Sequence, residues 1–171
     1  MELLAAGDAD LEAVAILVNS AYRGESSRQG WTTEADYIDG LRTSANALRE
    51  DLVATPGAVM LLHREAGELQ GCVWLAPAHD EAWYLGMLTV RPDLQDRGIG
   101  RQLLAAAEDY AREHGGRRMR MVVVSIRDTL IAWYGRRGYR LTGETEPFPY
   151  GTRFGIAKRA DLEFVVLEKG L

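Results

Sequence analysis

The stretch that decides the fold is residues 88–104, LTVRPDLQDRGIGRQLL, in which an apolar run leads into two glycines and then a helix-like sequence. The first amides of a helix have no intrahelical partner and carry partial positive charge, so such a junction suits phosphate oxygens. Gly98 and Gly100 would let phosphates approach the backbone. The segment lacks the Gly-Lys-Ser/Thr of a P-loop, and Leu103 stands where a dinucleotide-binding fingerprint needs a third glycine. What remains is Gln-x-x-Gly-x-Gly, a pattern that helix starts also carry for packing or turn reasons alone.

The composition is typical of one globular domain over residues 1–171, since 47% of the residues are hydrophobic and 26% are charged. The net charge of -5 argues against a nucleic-acid partner, which would need a basic face. Cys72 is the single cysteine and lies in an apolar stretch, so we expect a buried thiol in a reducing cytoplasm. Residues 1–22 have no basic leader, and acidic residues interrupt their apolar ones, so we expect neither a signal peptide nor a membrane span. The three histidines are isolated, and no metal site is expected.

Helix and strand patterns alternate along the chain. We expect a first helix from Asp8 or Asp10 to about Gly24, and a second from Thr32 or Thr33 to about Leu52. Further helices are expected over 98–114 and 128–138, and strands over 1–6, 58–65, 69–78, 82–90, 117–126, from 139, and 161–169. The three strands after residue 57 read as an antiparallel meander. The order predicts an α/β (α+β) fold, with helices on both sides of a mixed sheet.

Downstream of residues 88–104 lies AWYGRRGYR (132–140), with a tyrosine followed four residues later by Gly and an aromatic. Together the two segments resemble the GNAT superfamily of N-acetyltransferases, the first its acetyl-CoA-binding motif and the second its other signature. The resemblance implies a mixed, mostly antiparallel sheet of about seven strands, flanked by helices and splayed at the cofactor site. It also implies acetyl-CoA as cofactor, with coenzyme A as product. The order of elements expected above is the family's order.

The resemblance implies which residues hold the cofactor. The backbone of one strand segment would pair with the pantetheine arm, and this segment is Leu88, Thr89 and Val90. A loop and helix start would wrap the pyrophosphate, and these residues are Gln95, Asp96, Arg97, Gly98, Ile99, Gly100 and Arg101. The backbone contacts are the main expectation, because arginines near a helix start are often plain surface charges.

Tyr134 matches the family tyrosine that lies beside the cofactor sulfur and is usually assigned as general acid. A phenol holds its proton at neutral pH, which suits that role, although packing within an amphipathic helix is the alternative. Two departures are clear. Arg127 stands where some members have a cofactor-contacting asparagine, and Tyr84 stands where certain members have a glutamate base. The base is therefore open: Glu34, Glu81 or a chain of waters.

Two loops are candidates for the amine acceptor, residues 21–34 and 147–159, because both combine aromatic residues with arginines. The candidate acceptor residues are Tyr22, Arg23, Arg28, Trp31, Glu34, Tyr84, Tyr150 and Arg153. Arginines on both loops would suit an acceptor that carries a carboxylate. Alternatively they pair with local acids such as Glu25, Glu34 or Glu146 and only fasten the loops.

The sequence thus predicts an acetyl-CoA-dependent N-acyltransferase that acts on a primary amine of a small molecule or peptide by direct attack on the thioester. The alternative is a non-catalytic acyl-CoA-binding sensor or interaction module on the same fold. No nucleic-acid or membrane partner is expected. A homodimer is compatible with the sequence but not required by it.

Overall fold

A computed structural model of the protein describes residues 1–151 and 155–171. Its strands are β1 (Leu4–Ala5), β2 (Ile38–Asp39), β3 (Val59–Glu65), β4 (Glu68–Pro77), β5 (Ala82–Val90), β6 (Arg118–Val124), β7 (Arg140–Pro147), β8 (Ile156–Ala157) and β9 (Glu163–Gly170). Its α-helices are α1 (Leu11–Tyr22), α2 (Ala45–Ala54), α3 (Ile99–Glu113) and α4 (Asp128–Gly135). Three short 3-10 turns lie at Asp8–Asp10, Glu25–Gln29 and Pro92–Leu94.

Seven of these strands form the main sheet, in the order β1-β3-β4-β5-β6-β9-β7. Every neighbouring pair is antiparallel except β5 and β6, which run parallel. The predicted mixed, mostly antiparallel sheet and the β3–β4–β5 meander are therefore confirmed. Strands β2 and β8 form a separate antiparallel pair.

The main sheet splays between its two parallel strands. Strand β5 pairs with β6 only from Ala82 to Tyr84, opposite Arg118 to Arg120. Beyond Tyr84, β5 continues for six residues and stays paired with β4 on its other side. The register between β4 and β5 shifts between Cys72 and Trp74, where β5 has one extra residue, and Met87 in this part of β5 has a φ of 48°, which is unusual for a residue with a side chain. The opened edge of β5 leaves room for a site between the halves of the sheet.

Helices cover both faces of the sheet because alternate strand residues point to opposite sides. In β4, Val73 and Leu75 pack on the α3 side, whereas Cys72 and Trp74 pack on the α1 and α2 side. Helix α3 buries a stripe at i, i+1, i+4 and i+8 spacing, namely Leu103, Leu104, Ala107 and Ala111. The sheet core therefore holds the start of α3 directly beside the end of β5.

The predicted helix from Thr32 or Thr33 to Leu52 is wrong in its first half. The hydroxyl of Thr33 accepts a hydrogen bond from the amide of Ala35 in a local turn and begins no helix. The short strand β2 follows, and Gly40 with a φ of 80° turns the chain. Helix α2 begins only after Ser44, whose hydroxyl caps the amide of Ala47 at 3.1 Å.

Candidate functional site

Two cavities open where the sheet splays. The first, here called the splay cavity, has a volume of about 270 Å³ and lies between the diverging ends of β5 and β6. The second, here called the glycine cavity, has a volume of about 360 Å³ and lies against the end of β5 and the start of α3. Both volumes are near the lower end of the range for small-molecule sites, about 300–1,000 Å³.

The two cavities meet at Tyr134. Four residues line both of them: Tyr22, Leu88, Leu130 and Tyr134. Burial raises the pKa of the Tyr134 phenol well above its usual value, with the nearby Arg127 guanidinium opposing the shift. The Tyr22 hydroxyl donates to the backbone oxygen of Leu88, and burial raises the pKa of Tyr22 to about 12. Two protonated phenols therefore face the junction at neutral pH.

The buried carboxylate of Glu108 supports Tyr134 through Tyr139. The Tyr134 ring packs edge-on against Tyr139, with ring centroids 5.6 Å apart. The Tyr139 hydroxyl donates to Glu108 of α3 at 2.9 Å, and the same carboxylate accepts from Lys169 of β9 at 2.8 and 2.9 Å. Because Glu108 is 5% exposed, this cluster ties α3, β9 and the end of α4 together beneath the junction.

The wall of the glycine cavity is shaped by bare backbone at the start of α3. Gly98 precedes the helix with a φ of 81°, a conformation that favours glycine. A Cβ on Gly100 would lie 3.6 Å from both Trp133 and Val90, at ordinary contact distance, so a larger side chain would extend into the cavity. The amides of a helix start and a glycine wall fit the phosphates of a nucleotide-type cofactor.

Cationic side chains adjoin this wall. Arg101 and Arg137 line the glycine cavity, and the pKa of Arg137 is lowered by burial and by the nearby Arg136 and Arg101. The Arg137 guanidinium lies 3.6 Å from the centroid of the Trp133 ring and donates to the Trp133 oxygen at 2.7 Å. Three arginines that repel one another beside a cavity are suited to a polyanionic ligand.

Gln95 fastens the loop before Thr32 to the end of β5. Its Oε1 accepts from the Trp31 amide at 2.9 Å, and its Nε2 donates to the Thr32 hydroxyl at 2.9 Å and the Val90 oxygen at 3.1 Å. The Trp31 ring thereby lies 6.2 Å from that of Trp133, across the glycine cavity. The glutamine at the head of the motif shapes this cavity through contacts within the protein.

The splay cavity contains a buried ion cluster. Glu34 accepts through Oε1 from Arg23 at 3.3 and 3.4 Å, and through Oε2 from Arg127 at 3.4 Å. Arg127 also donates to the Thr32 oxygen at 2.8 Å. The side chains of Arg23, Arg127 and Glu34 are only 4, 9 and 10% exposed. Both oxygens of Glu34 are thus engaged, which leaves it poorly suited to act as a base.

The residues expected to hold the cofactor divide into two groups. Those that line the glycine cavity are Leu88, Val90, Gln95, Asp96, Gly98, Gly100 and Arg101. The other three lie elsewhere: Thr89 is buried and donates to the Met87 oxygen, Arg97 is exposed, and Ile99 packs against the core.

The residues expected at the acceptor are more scattered. Tyr22, Arg23, Glu34 and Tyr84 line the splay cavity, and Trp31 lines the glycine cavity instead. Arg28 forms ion pairs at the surface with Glu25 and Asp36, in line with the alternative that the loop arginines pair with local acids. The Tyr150 hydroxyl accepts from the Leu162 amide at 2.7 Å, and Arg153 lies outside the described residues. Glu81 pairs with Arg117 just before β5, at the end of the strand that stays paired with β6, and it does not line the splay cavity.

Sequence reasoning missed several residues that line the cavities: Arg42, Glu146, Trp133 and Arg137. It also treated Arg127 only as a departure from a motif. The spacing of Trp133 and Arg137, four residues apart around Tyr134, was a usable helical signal. Arg42 and Glu146 had no such signal, because only the folded chain brings them to Tyr84.

The described residues form neither a candidate metal cluster nor a membrane-spanning helix. Between residues 1–151 and 155–171, no three or more His, Cys, Asp or Glu side chains group as a metal site. In the same part of the chain, no helix is both long enough and apolar enough to cross a membrane.

Comparison with known proteins gives consistent matches. The model of the acetyltransferase (GNAT) family matches residues 25–139. Mycothiol acetyltransferase of Propionibacterium freudenreichii subsp. shermanii is 28% identical over 135 residues, which are 77% of this chain and 40% of that protein. The chain therefore spans about two fifths of the length of that relative.

Solved structures share the fold. A ribosomal-protein-alanine N-acetyltransferase from Brucella melitensis superposes with a TM-score of 0.70 at 21% identity, over 100% of both chains. A GNAT family acetyltransferase from Elizabethkingia anophelis with acetyl-CoA bound has a TM-score of 0.61 at 21% identity, over 72% of this chain and 82% of that one. At these identities the likeness concerns the fold.

Proposed function

Because the chain belongs to the acetyltransferase (GNAT) family, we propose that it is an N-acetyltransferase that moves the acetyl group of acetyl-CoA to a primary amine of a small molecule or peptide. The observation that carries this proposal is the position of Tyr134, which lines both cavities at their junction. A cofactor in one cavity and an amine in the other would meet at its hydroxyl. We further propose that the amine attacks the thioester directly.

The glycine cavity is the proposed cofactor site. The first amides of α3, beside Gly98 and Gly100, would hold the pyrophosphate, and Arg101 would add positive charge. The edge of β5 from Leu88 to Val90, which has left β6, would pair with the pantetheine amides. When bound, acetyl-CoA supplies the activated acetyl thioester. The family neighbour with acetyl-CoA bound supports this choice of cofactor.

Tyr134 is the proposed general acid. Burial keeps a proton on its Oη at neutral pH, and a phenol in that state can protonate the departing thiolate. The ring is held on two sides, by Trp133 at 5.0 Å and Tyr139 at 5.6 Å between centroids, so the hydroxyl is fixed at the junction. Restricting the proton donor in this way favours the reacting geometry.

The base is proposed to be Glu146 or water in contact with it. Among the carboxylates that line the splay cavity, Glu34 is engaged by two arginines, whereas Glu146 forms no ion pair within residues 1–151 and 155–171. Glu146 lies near the end of β7, close to Tyr84. A carboxylate there can take the proton of an incoming ammonium.

A panel assay tests the proposal. Purified protein with acetyl-CoA would be given amino acids, polyamines, aminoglycosides and peptides, with thiol release measured and the acetylated amine identified by mass spectrometry. We expect thiol release that depends on one class of amine. If acetyl-CoA binds but no amine is acetylated, the alternative of a non-catalytic acyl-CoA-binding sensor replaces the enzyme.

A further inference from the structure

We propose that the acceptor is a small amino acid, and that Arg127 binds its carboxylate inside the splay cavity while its amine faces Tyr134. This inference rests on the proposed function and specifies its acceptor. The sequence had suggested that arginines on the loops 21–34 and 147–159 bind the carboxylate, whereas the inference assigns this role to Arg127, which precedes α4.

The charge in the splay cavity favours an anionic group. The described lining contains three arginines, Arg23, Arg42 and Arg127, against two glutamates, Glu34 and Glu146. Arg127 donates to Glu34, and its side chain is only 9% exposed. A charge held away from water is stabilised by an ionic partner, and a carboxylate of the ligand would be such a partner for Arg127.

Arg127 has the donors to make that contact. A guanidinium has five N–H groups, and Arg127 gives one to Glu34 and one to the Thr32 oxygen. Within the described part of the chain, the other three have no acceptor in the protein. The contact with Glu34 is 3.4 Å long, well beyond the ~2.7–2.9 Å of a strong charge-assisted hydrogen bond. Arg127 thus has donors to spare for a carboxylate of the ligand.

The spacing sets the size of the acceptor. Arg127 immediately precedes α4, and Tyr134 lies seven residues later in its last turn, so both face the same side. Seven residues of helix span about 10 Å, which the two side chains shorten as they converge on one cavity. A volume of about 270 Å³ suits a molecule of amino-acid size. A peptide amine would bring an uncharged amide to the position of the carboxylate.

The test uses matched pairs of amines with and without the charge. The pairs are the standard amino acids, β-alanine and γ-aminobutyrate, each against its own carboxamide, with polyamines and peptides as further arms. For the best amino acid we expect wild-type kcat/KM to exceed that of its carboxamide by about 10- to 100-fold, the range for one charge-assisted contact. Arg127→Gln should remove this preference by lowering only the rate with the amino acid.

Two controls separate recognition from folding and from the proposed function. Arg49→Gln removes an arginine that pairs with Asp8 at the surface, and it should keep the wild-type preference. Arg127→Lys keeps the charge but loses the two-donor fork, and should give an intermediate preference. Thermal shifts by acetyl-CoA and by the amino acid alone show whether each variant folds and which ligand it still binds.

The outcomes are distinct. Carboxamides, polyamines or peptides that react as well as the amino acids would overturn the inference while the N-acetyltransferase stands. An equal loss for both members of a pair in Arg127→Gln would also overturn it. If no amine is acetylated, the proposed function fails, and the carboxylate site survives only if the amino acid still stabilises wild type and not Arg127→Gln.

Discussion

Replacing Gly100 with Asp should weaken stabilisation by acetyl-CoA strongly while leaving the fold intact. Gly100 lies in the first turn of α3 and lines the glycine cavity. An added Cβ would meet Trp133 and Val90 at 3.6 Å, which is ordinary contact, so the Cβ itself causes no clash. The carboxylate would then project into the space proposed for the pyrophosphate.

The magnitude follows from ligand linkage and charge repulsion. At 100 times its Kd, acetyl-CoA should stabilise the wild type by about 2.7 kcal/mol. For a domain of this size, that corresponds to a rise in Tm of about 5–11 °C. One extra negative charge about 4 Å from a phosphate costs between ~1 and ~4 kcal/mol, depending on the effective dielectric constant. Gly100→Asp should therefore lose from a third to nearly all of the shift.

Thermal denaturation with a titration of acetyl-CoA measures both quantities. Gly100→Ala is the matched control, because it adds the Cβ without the charge and should keep most of the shift. The Tm values without ligand show whether either variant is destabilised. A full wild-type shift in Gly100→Asp would refute the assignment of the cofactor phosphates to this helix start.

Three further predictions concern stability and reactivity. Glu108→Ala leaves the buried Tyr139 hydroxyl without its acceptor, so the free energy of unfolding measured in urea should fall by about 1–3 kcal/mol. The control Glu113→Ala changes an exposed residue and should lower it by less than about 0.5 kcal/mol. Burial raises the pKa of the Cys72 thiol to about 12, so the reactive thiolate is scarce at pH 8, and a thiol reagent should label the protein only after unfolding. Gln95→Ala removes the acceptor of the Trp31 amide, whose hydrogen exchange should become faster while that of the α3 core is unchanged.

Local patterns in the sequence predicted the parts of the fold that depend on local rules. The periodicity of α3 and the turn signals between β3, β4 and β5 gave the correct elements within a few residues. Strand β2 has two residues and no period to detect, and its pairing with β8 depends on residues more than 100 positions away. The predicted helix from Thr32 failed for this reason, since tertiary pairing overrode a plausible cap.

Some residues of the candidate site could likewise be predicted from the sequence, and others could not. The glycines before α3 and Tyr134 belong to compact motifs and were visible in the sequence. The ion cluster of the splay cavity was not, because Arg127 meets Glu34 across 93 residues. Whether an arginine such as Arg23 faces a ligand or a neighbouring acid depends on packing that no local pattern encodes. The chemical class of the acceptor can therefore be inferred only from the folded structure.

The most direct test of the account is the turnover of Tyr134→Phe, measured with its acetyl-CoA affinity on the same preparation. The change removes only the hydroxyl at the junction of the two cavities and leaves the ring that packs against Trp133 and Tyr139. We predict an unchanged Kd for acetyl-CoA and a kcat lowered by about 10²- to 10⁴-fold, the contribution typical of a general acid. Wild-type turnover in Tyr134→Phe would contradict the account and return this tyrosine to a packing role.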